Sequence, residues 1–372
     1  MQKESVLLRL NKRANSSTLP EIEVIDLREE LSKKNKSMLS EKLQEAIKEN
    51  LENKKQTILF LNRRGFSTFV MCRDCGYTAK CKNCDITLTY HKSTNKLKCH
   101  YCGYETNVIN KCPDCKSENI RYFGTGTQKL EAEINKLYPE AKTIRMDVDT
   151  VTKKNSHEKI LTDFKENKAD ILIGTQMVVK GHHFPNVTLV GVIAADGSLN
   201  MNDYRANEIT FQILTQVAGR AGRGKDAGKV IIQTYNPDSF AIECVKTQNE
   251  EMFYNTEMRL RKQLKYPPFC DIIVIGVSSK EEQITIKVTQ SLHKYLKNRV
   301  ENENIGIMLY KALPAPIDKI KNKYRWRILI KCKFGEDIID LMNDTLQKAQ
   351  TIKYCKNGDA NISIDVNPTN MV

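Results

Sequence analysis

No apolar run in this sequence approaches the ~18–20 residues that a membrane-crossing helix requires. The amino terminus, MQKESVLLRLNKR, holds too short an apolar stretch for a secretory signal. A soluble, cytoplasmic protein without membrane contact is therefore expected. The sequence also lacks any Gly-Lys followed by Ser or Thr, which excludes the usual phosphate-cradling loop that holds Mg²⁺ through its hydroxyl. Acidic residues are in deficit, 45 against 59 Lys plus Arg, leaving a net charge of +14. Such an excess favours a polyanion, because neutralising phosphates releases condensed counterions. A general Lys, Asn and Ile bias would give the same figure.

Cysteine is plentiful but uneven. Of twelve cysteines, eight form four C-x-x-C pairs, CRDC, CKNC, CHYC and CPDC, between residues 72 and 115. With no export signal in a chain of 372 residues, a disulfide scaffold is not the expected use. One C-x-x-C places two thiolates on a metal, and two of them close a tetrahedral S4 site, so four hold two ions. Zinc is the expected metal; an iron–sulfur cluster or a redox dithiol is the alternative. Cys81/Cys84 and Cys99/Cys102 flank the hairpin-like run DITLTYHKSTNKLK, which would leave Cys72/Cys75 to close with Cys112/Cys115. Sequential pairing remains open on spacing alone. With all four positions of each site filled by sulfur, the ions would be structural, and His91 and His100 would face solvent or stack. Cys244, Cys270, Cys332 and Cys355 stand singly and read as buried or inert thiols.

Along the chain, Ser40 caps a helix whose apolar stripe is Leu43, Ile47 and Leu51. QTILFLNRRGFSTFV reads as a buried strand interrupted by the cysteine region. Thereafter IRYFG, KTIRMDVD, DILIGT, VTLVGVIAAD and GKVIIQTY read as strands, and TQKLEAEINKLY, NSHEKILTDFKEN and NEITFQILTQVAGRA as helices. This alternation predicts an α/β domain with a mostly parallel sheet covered on both faces. From about Lys265 the order becomes βαββαβ, with IGIMLYKA and YRWRILIKCK as the middle strands, which predicts a ferredoxin-like α+β domain. Lys319, Lys321, Lys323, Arg325 and Arg327 surround Trp326, either to grip a phosphate backbone or as a solvated edge.

The stretch TQVAGRAGRGK mimics a phosphate loop from Gly219 through Gly224 to Lys225. It follows a helix instead of a strand, Asp226 replaces the required Ser or Thr, and a strand comes next, so that reading fails. VTLVGVIAAD likewise mimics a strand ending in a Mg²⁺-binding acid, but Gly197 follows Asp196. On a continuing helix, Gln216, Arg220 and Arg223 fall at i, i+4 and i+7 and share one face. Two guanidiniums and an amide on one face suit a γ-phosphate, the arginine-finger role; a salt-bridged surface helix is the alternative.

ILFLNRRGF, the eight-cysteine spacing, GTGTQKLE, DILIGTQMVVKGHHFPNVTLV, DYRANE, TQVAGRAGR and YPPF occur in that order. Together, from about Val6 to Asp365, they resemble the family of bacterial primosomal replication-restart helicases. The resemblance implies a second RecA-like helicase lobe with an inserted two-zinc module and a C-terminal domain. Its boundaries would be 1–29 for a linker or the end of a first lobe, 30–71 and 119–255 for the lobe, 72–118 for the zinc insertion and 256–372 for the C-terminal domain. It implies nested zinc ligands: Cys72, Cys75, Cys112 and Cys115 for one ion, Cys81, Cys84, Cys99 and Cys102 for the other. Gln216, Arg220 and Arg223 would reach ATP. Gly174, Thr175, Gln176, Lys180, Gly181, His182 and His183 would couple DNA to nucleotide, and Arg63 and Arg64 would touch DNA. Ile209 departs from the family, which commonly has arginine there, and puts in doubt any role around Glu208. The implied activity is ATP-dependent 3′–5′ unwinding for replication restart, with ATP and Mg²⁺ held mainly by a first lobe that these residues do not include. Without that lobe, the chain would be a zinc-stabilised module binding DNA or primosome proteins. The implied partners are forked and single-stranded DNA, other primosome proteins, single-stranded DNA-binding protein and the replicative helicase loader.

Overall fold

A computed structural model describes residues 8, 19–33, 35, 37–61, 69–84, 86–91, 94–122, 127–146, 156–175, 184–224, 226–369 and 371. The chain forms two compact units. The first comprises Met1–Arg63, Thr125–Asp196 and Ile209–Asn249; the second comprises Arg64–Gly124, Gly197–Glu208 and Glu250–Val372.

The first unit is built on an all-parallel sheet, the arrangement expected of strands with unbroken apolar runs. Its strand order is Glu21–Asp26, Lys229–Thr234, Val187–Val192, Gln56–Phe60, Ile171–Gly174 and Thr143–Met146. Every residue of Gln56–Phe60 and Ile171–Gly174 is buried. One face is covered by the helices Glu41–Glu52 and Thr127–Leu137, which place Leu43, Ile47, Leu130 and Ile134 against Leu59, Ile173, Leu189 and Ile231. Close approach depends on Gly191 in the strand beneath: a Cβ there would lie 2.9 Å from both Leu43 Cδ1 and Leu59 Cδ2. This is the parallel sheet that the strand–helix alternation predicts, RecA-like as the family resemblance implies.

The helix Glu41–Glu52 begins as its sequence predicts, with Ser40 Oγ accepting from the Leu43 N–H at 3.2 Å. The Ser40 N–H in turn donates to the buried Gln233 side chain at 2.7 Å. Gln233 Nε2 donates to the carbonyls of Met38 and Ile193, so this buried amide is satisfied on both its atoms. Ser40→Ala is expected to lower the stability of the first unit by about 1 kcal/mol, the usual worth of an N-cap. Hydrogen exchange of the 41–52 amides would show it.

The second unit contains the cysteine segment and an antiparallel C-terminal sheet. The sheet order is Met308–Leu309, Lys323–Cys332, Asp271–Ser279 and Ala360–Val366, as in a ferredoxin-like fold. Alternation along Asp271–Ser279 separates two cores. Ile273, Ile275 and Val277 pack under the helices Glu282–Glu303 and Glu336–Thr351. Ile272 on the other face joins Leu329, Tyr266 and the cysteine segment's Leu97 and Tyr101.

The expected strand IGIMLYKA is only Met308–Leu309; a separate strand, Leu313–Ile320, follows it and turns into Lys323–Cys332. The turn is Lys321–Asn322, both residues left-handed with φ 48° and 59°, the backbone of a two-residue primed hairpin loop. Pro314 and Pro316 disguise the strand in the sequence, since proline is confined to sheet edges. The basic residues around Trp326 therefore belong to this hairpin. The helices Phe240–Lys246 and Glu250–Gln263 have no counterpart in the sequence reading.

Candidate functional site

Each C-x-x-C is folded by the same backbone bond. The N–H of Cys72, Cys81, Cys99 and Cys112 donates to the carbonyl five residues on, in Tyr77, Ile86, Tyr104 and Ser117, always at 2.8 Å. The residue after the second cysteine is left-handed at Gly76, Gly103 and Lys116. Glycine is favoured there because it reaches that conformation without cost. The pairs then converge as Cys72, Cys75, Cys112 and Cys115, and as Cys81, Cys84, Cys99 and Cys102, with the sulfurs of each set within 4.8 Å of one another. The arrangement is nested, and sequential pairing is excluded.

Within the sets, individual Sγ···Sγ separations are 3.5–3.6 Å. Tetrahedral zinc with Zn–S near 2.3 Å would place its sulfurs about 3.8 Å apart. The cavity at each centre thus fits the ion. In the second set the Cys81 thiolate is stabilised first by hydrogen bonds from Cys84 and then Cys99. The same bonds to Cys81 push Cys84 and Cys99 up. A dication at the centre would let them ionise together.

The two centres differ in setting. Cys115 of the first is exposed, and the surrounding contacts are polar: Asp74 accepts from Ser117 Oγ and, at 2.9 Å, from Asn119 Nδ2. Cys81, Cys84 and Cys99 of the second lie inside the core that includes Ile272 and Leu329. His91 and His100 are the spare imidazoles. Their rings meet at 4.8 Å, tilted by 50°, with Nε2···Nε2 at 2.9 Å. His100 is buried instead of facing solvent, and burial drives its pKa down to about 3.

The arginine stretch is placed otherwise than its sequence suggests. The helix Ala206–Ala218 ends before Gly219, so Arg220 and Arg223 do not continue its face. The last turn tightens, with Arg220 N donating to Val217 O, and Gly222 then turns left-handed at φ 66° while its N–H reaches Val187 O at 3.1 Å. A Cβ on Gly222 would come within 2.5 Å of Gly228 N, and one on Gly224 within 2.2 Å of Pro185 O. Gly222 and Gly224 thus serve close backbone approach. Gln216 is exposed on the last helical turn, and Arg220 and Arg223 are half-buried beyond it. Arg223 Nε donates to Gly219 O at 2.7 Å. Burial lowers the Arg220 pKa, and the neighbouring Arg223 charge lowers it further.

Gly174 ends the strand Ile171–Gly174 and accepts from Leu61 N at 2.9 Å; Thr175 beside it is buried. These two lie at the carboxyl edge of the sheet. The Arg220–Gly224 turn meets Pro185 and Val187 at the opposite edge, so the structure does not bring the two groups together. Arg63, Arg64, Gln176, Lys180, Gly181, His182 and His183 lie outside the described residues. Asp196 is no open metal ligand: its carboxylate is buried and accepts from Tyr235 N, Thr234 Oγ1 and Asn236 Nδ2. Burial raises its pKa against the pull of those donors.

The DYRANE stretch holds residues that motif spacing did not single out. Tyr204 stacks on Tyr266 at 4.8 Å and 6°, with Arg261 over the Tyr204 ring and Lys331 over that of Tyr266 at 3.6 Å. Arg261 also pairs with Glu208 at 2.6 Å and with the buried Glu257 at 2.8 Å. Glu208 beside Ile209 is therefore bound into a structural ion pair. The sequence signals were the DYRANE and YPPF stretches, whose tyrosines lie sixty-two residues apart.

Comparisons with known proteins tile the same segments. The PriA DNA helicase Cys-rich region (CRR) domain matches residues 81–106, the Helicase conserved C-terminal domain 107–225, and the Primosomal protein N C-terminal domain 262–369. The fold and the paired four-cysteine centres thus define a helicase carboxyl-terminal lobe joined to a zinc-binding module. Across most of its length the chain strongly matches bacterial PriA, primosomal protein N′. It is 45% identical to "Replication restart protein PriA" of Bacillus subtilis, over 98% of this chain and 45% of the relative. For the Synechocystis protein of that name the figures are 41%, 87% and 39%, and for that of Rickettsia felis 38%, 97% and 54%. The chain spans about half the length of the curated relatives it matches.

Proposed function

We propose that this chain supplies the second lobe, zinc module and C-terminal domain of an ATP-dependent 3′–5′ DNA helicase that assembles primosomes and restarts replication at stalled forks. The observation that carries this reading is the pair Arg220 and Arg223. Two guanidiniums are held half-buried on one glycine-built turn, where burial and then the Arg223 charge disfavour the charge on Arg220. The γ-phosphate of ATP, brought to this turn, would gain the charge stabilisation that phosphoryl transfer needs. Gln216, exposed on the preceding helical turn, would complete the set.

ATP and Mg²⁺ would be held mainly by a first lobe. The second lobe would occupy 30–71 and 119–255, the zinc insertion 72–118 and the C-terminal domain 256–372, with 1–29 as linker or the end of the first lobe. Gly174 and Thr175, with Gln176, Lys180, Gly181, His182 and His183, would touch DNA backbone and report to the nucleotide through the strands between the two sheet edges. Arg63 and Arg64 would add DNA contacts. Single-stranded DNA-binding protein, the replicative helicase loader and other primosome proteins would be the partners, in the bacterial cytoplasm. Among the described residues no helix is long and apolar enough to cross a membrane.

ATP hydrolysis by this chain alone, with and without single-stranded DNA, tests the reading. No turnover with DNA binding intact is expected. Turnover by the chain alone would require a phosphate site of its own, and the division of labour between lobes would be wrong.

A further inference from the structure

The strand Leu313–Ile320 is poorly held by its own sheet. It lies at an edge, pairs among the described residues only with Lys323–Cys332, and its register is broken between Pro314 and Lys319. Only Leu313 and Pro314 at the base and Lys319 and Ile320 at the tip are in register. Two-stranded hairpins are marginal in isolation. Nevertheless this one carries Lys319, Lys321, Lys323 and Arg325, a concentration of charge that should splay it further.

Its base meets the knuckle of the second cysteine centre, formed by Cys99, His100, Tyr101, Cys102 and Gly103. His100 Nδ1 lies 3.3 Å from Pro314 O. A carbonyl can only accept, so Nδ1 carries the proton, and Nε2 accepts in turn from His91. Gly103, left-handed at φ 75°, sits so close that a Cβ there would be 3.0 Å from Leu313 Cδ2. On the partner strand, Arg327 donates to His100 O at 3.2 Å and lies over the Tyr101 ring at 5.7 Å. Two consecutive residues of the knuckle, and the glycine that closes it, thus grip both strands at the hairpin's root. Around the first centre, by contrast, Asp74 accepts from Ser117 and Asn119 and Lys116 Nζ donates to Pro113 O, contacts made within the cysteine segment itself.

We infer that the second zinc centre is the anchor of the basic hairpin, so that metal at Cys81, Cys84, Cys99 and Cys102 sets the hairpin's position while metal at Cys72, Cys75, Cys112 and Cys115 does not. His100 and Gly103 are the positioning residues. The two ions are then unequal: one holds a peripheral knuckle pair together, the other extends its constraint into a different sheet.

Amide hydrogen exchange of this chain, read by mass spectrometry in the absence of nucleic acid, tests the inference independently of any helicase reading. His100→Ala removes the Nδ1 donor and leaves all eight cysteine ligands. Exchange across 313–320 is expected to quicken roughly three- to tenfold, the worth of one hydrogen bond. Zinc content should stay at two per chain and the helix Glu282–Glu303 should remain protected. Unchanged hairpin exchange would overturn the inference. In a second comparison, Cys102→Ser should open the hairpin and Cys115→Ser should not; equal opening by both would overturn the claimed inequality.

Discussion

Replacing Arg223 by alanine, in a longer protein that carries the first lobe, is expected to cut ATP turnover by on the order of 10³-fold or more. The effect should be this large because a finger acts on charge that develops only in the transition state, so its loss falls on kcat and not on nucleotide affinity. The surrounding turn should survive, since its shape is set by Gly222 and by the close approach of Gly224 to Pro185, not by the guanidinium. Losing the bond from Arg223 Nε to Gly219 O would remove only a side-chain contact from the frayed helix end. Lysine should rescue little, since it lacks the planar fork. Near-normal single-turnover rates with intact circular dichroism would remove Arg223 from catalysis and return the stretch to a surface role.

The second large effect is on metal and fold. Cys84→Ser should reduce the zinc content from two ions to one per chain and unravel the inner half of the module, because metal binding supplies much of the folding free energy of such sites. Cys84 is buried, and its carbonyl accepts from Tyr266 Oη at 3.2 Å. Damage should therefore reach the Tyr204–Tyr266 stack and the ring contact with Lys331, and a probe of tyrosine environment should respond together with the metal assay. Two ions remaining in the variant would show that the ligand set is misassigned.

Much of this architecture was legible because single residues report it. The burial of QTILF and ILIG as continuous apolar runs pointed to a parallel sheet, and Ser40 marked a helix start to the residue. The C-x-x-C pairs announced two metal centres, although their nested partnering needed either a family resemblance or the folded chain. The arginine geometry was not legible. A period of 3.6 carries Arg220 and Arg223 along a helix, whereas the need of Gly222 and Gly224 to pack against backbone ends that helix early. Tertiary contact overrode local period there. The hairpin at Lys321–Asn322 was hidden for a related reason: its turn uses left-handed Lys and Asn without glycine, and its edge strand tolerates two prolines.

The sheet's edge strand has a bearing on synthesis. Glu21–Asp26 is made well before its hydrogen-bonding partner Lys229–Thr234, which follows roughly two hundred residues later. At translation rates of about 5–20 residues per second, that strand waits roughly 10–40 s for its neighbour. The ligands Cys72 to Cys115 are all synthesised within that interval and can take up metal before the parallel sheet is complete. A nascent chain starved of zinc would then expose the strand Glu21–Asp26 and the open cysteine knuckles at the same time.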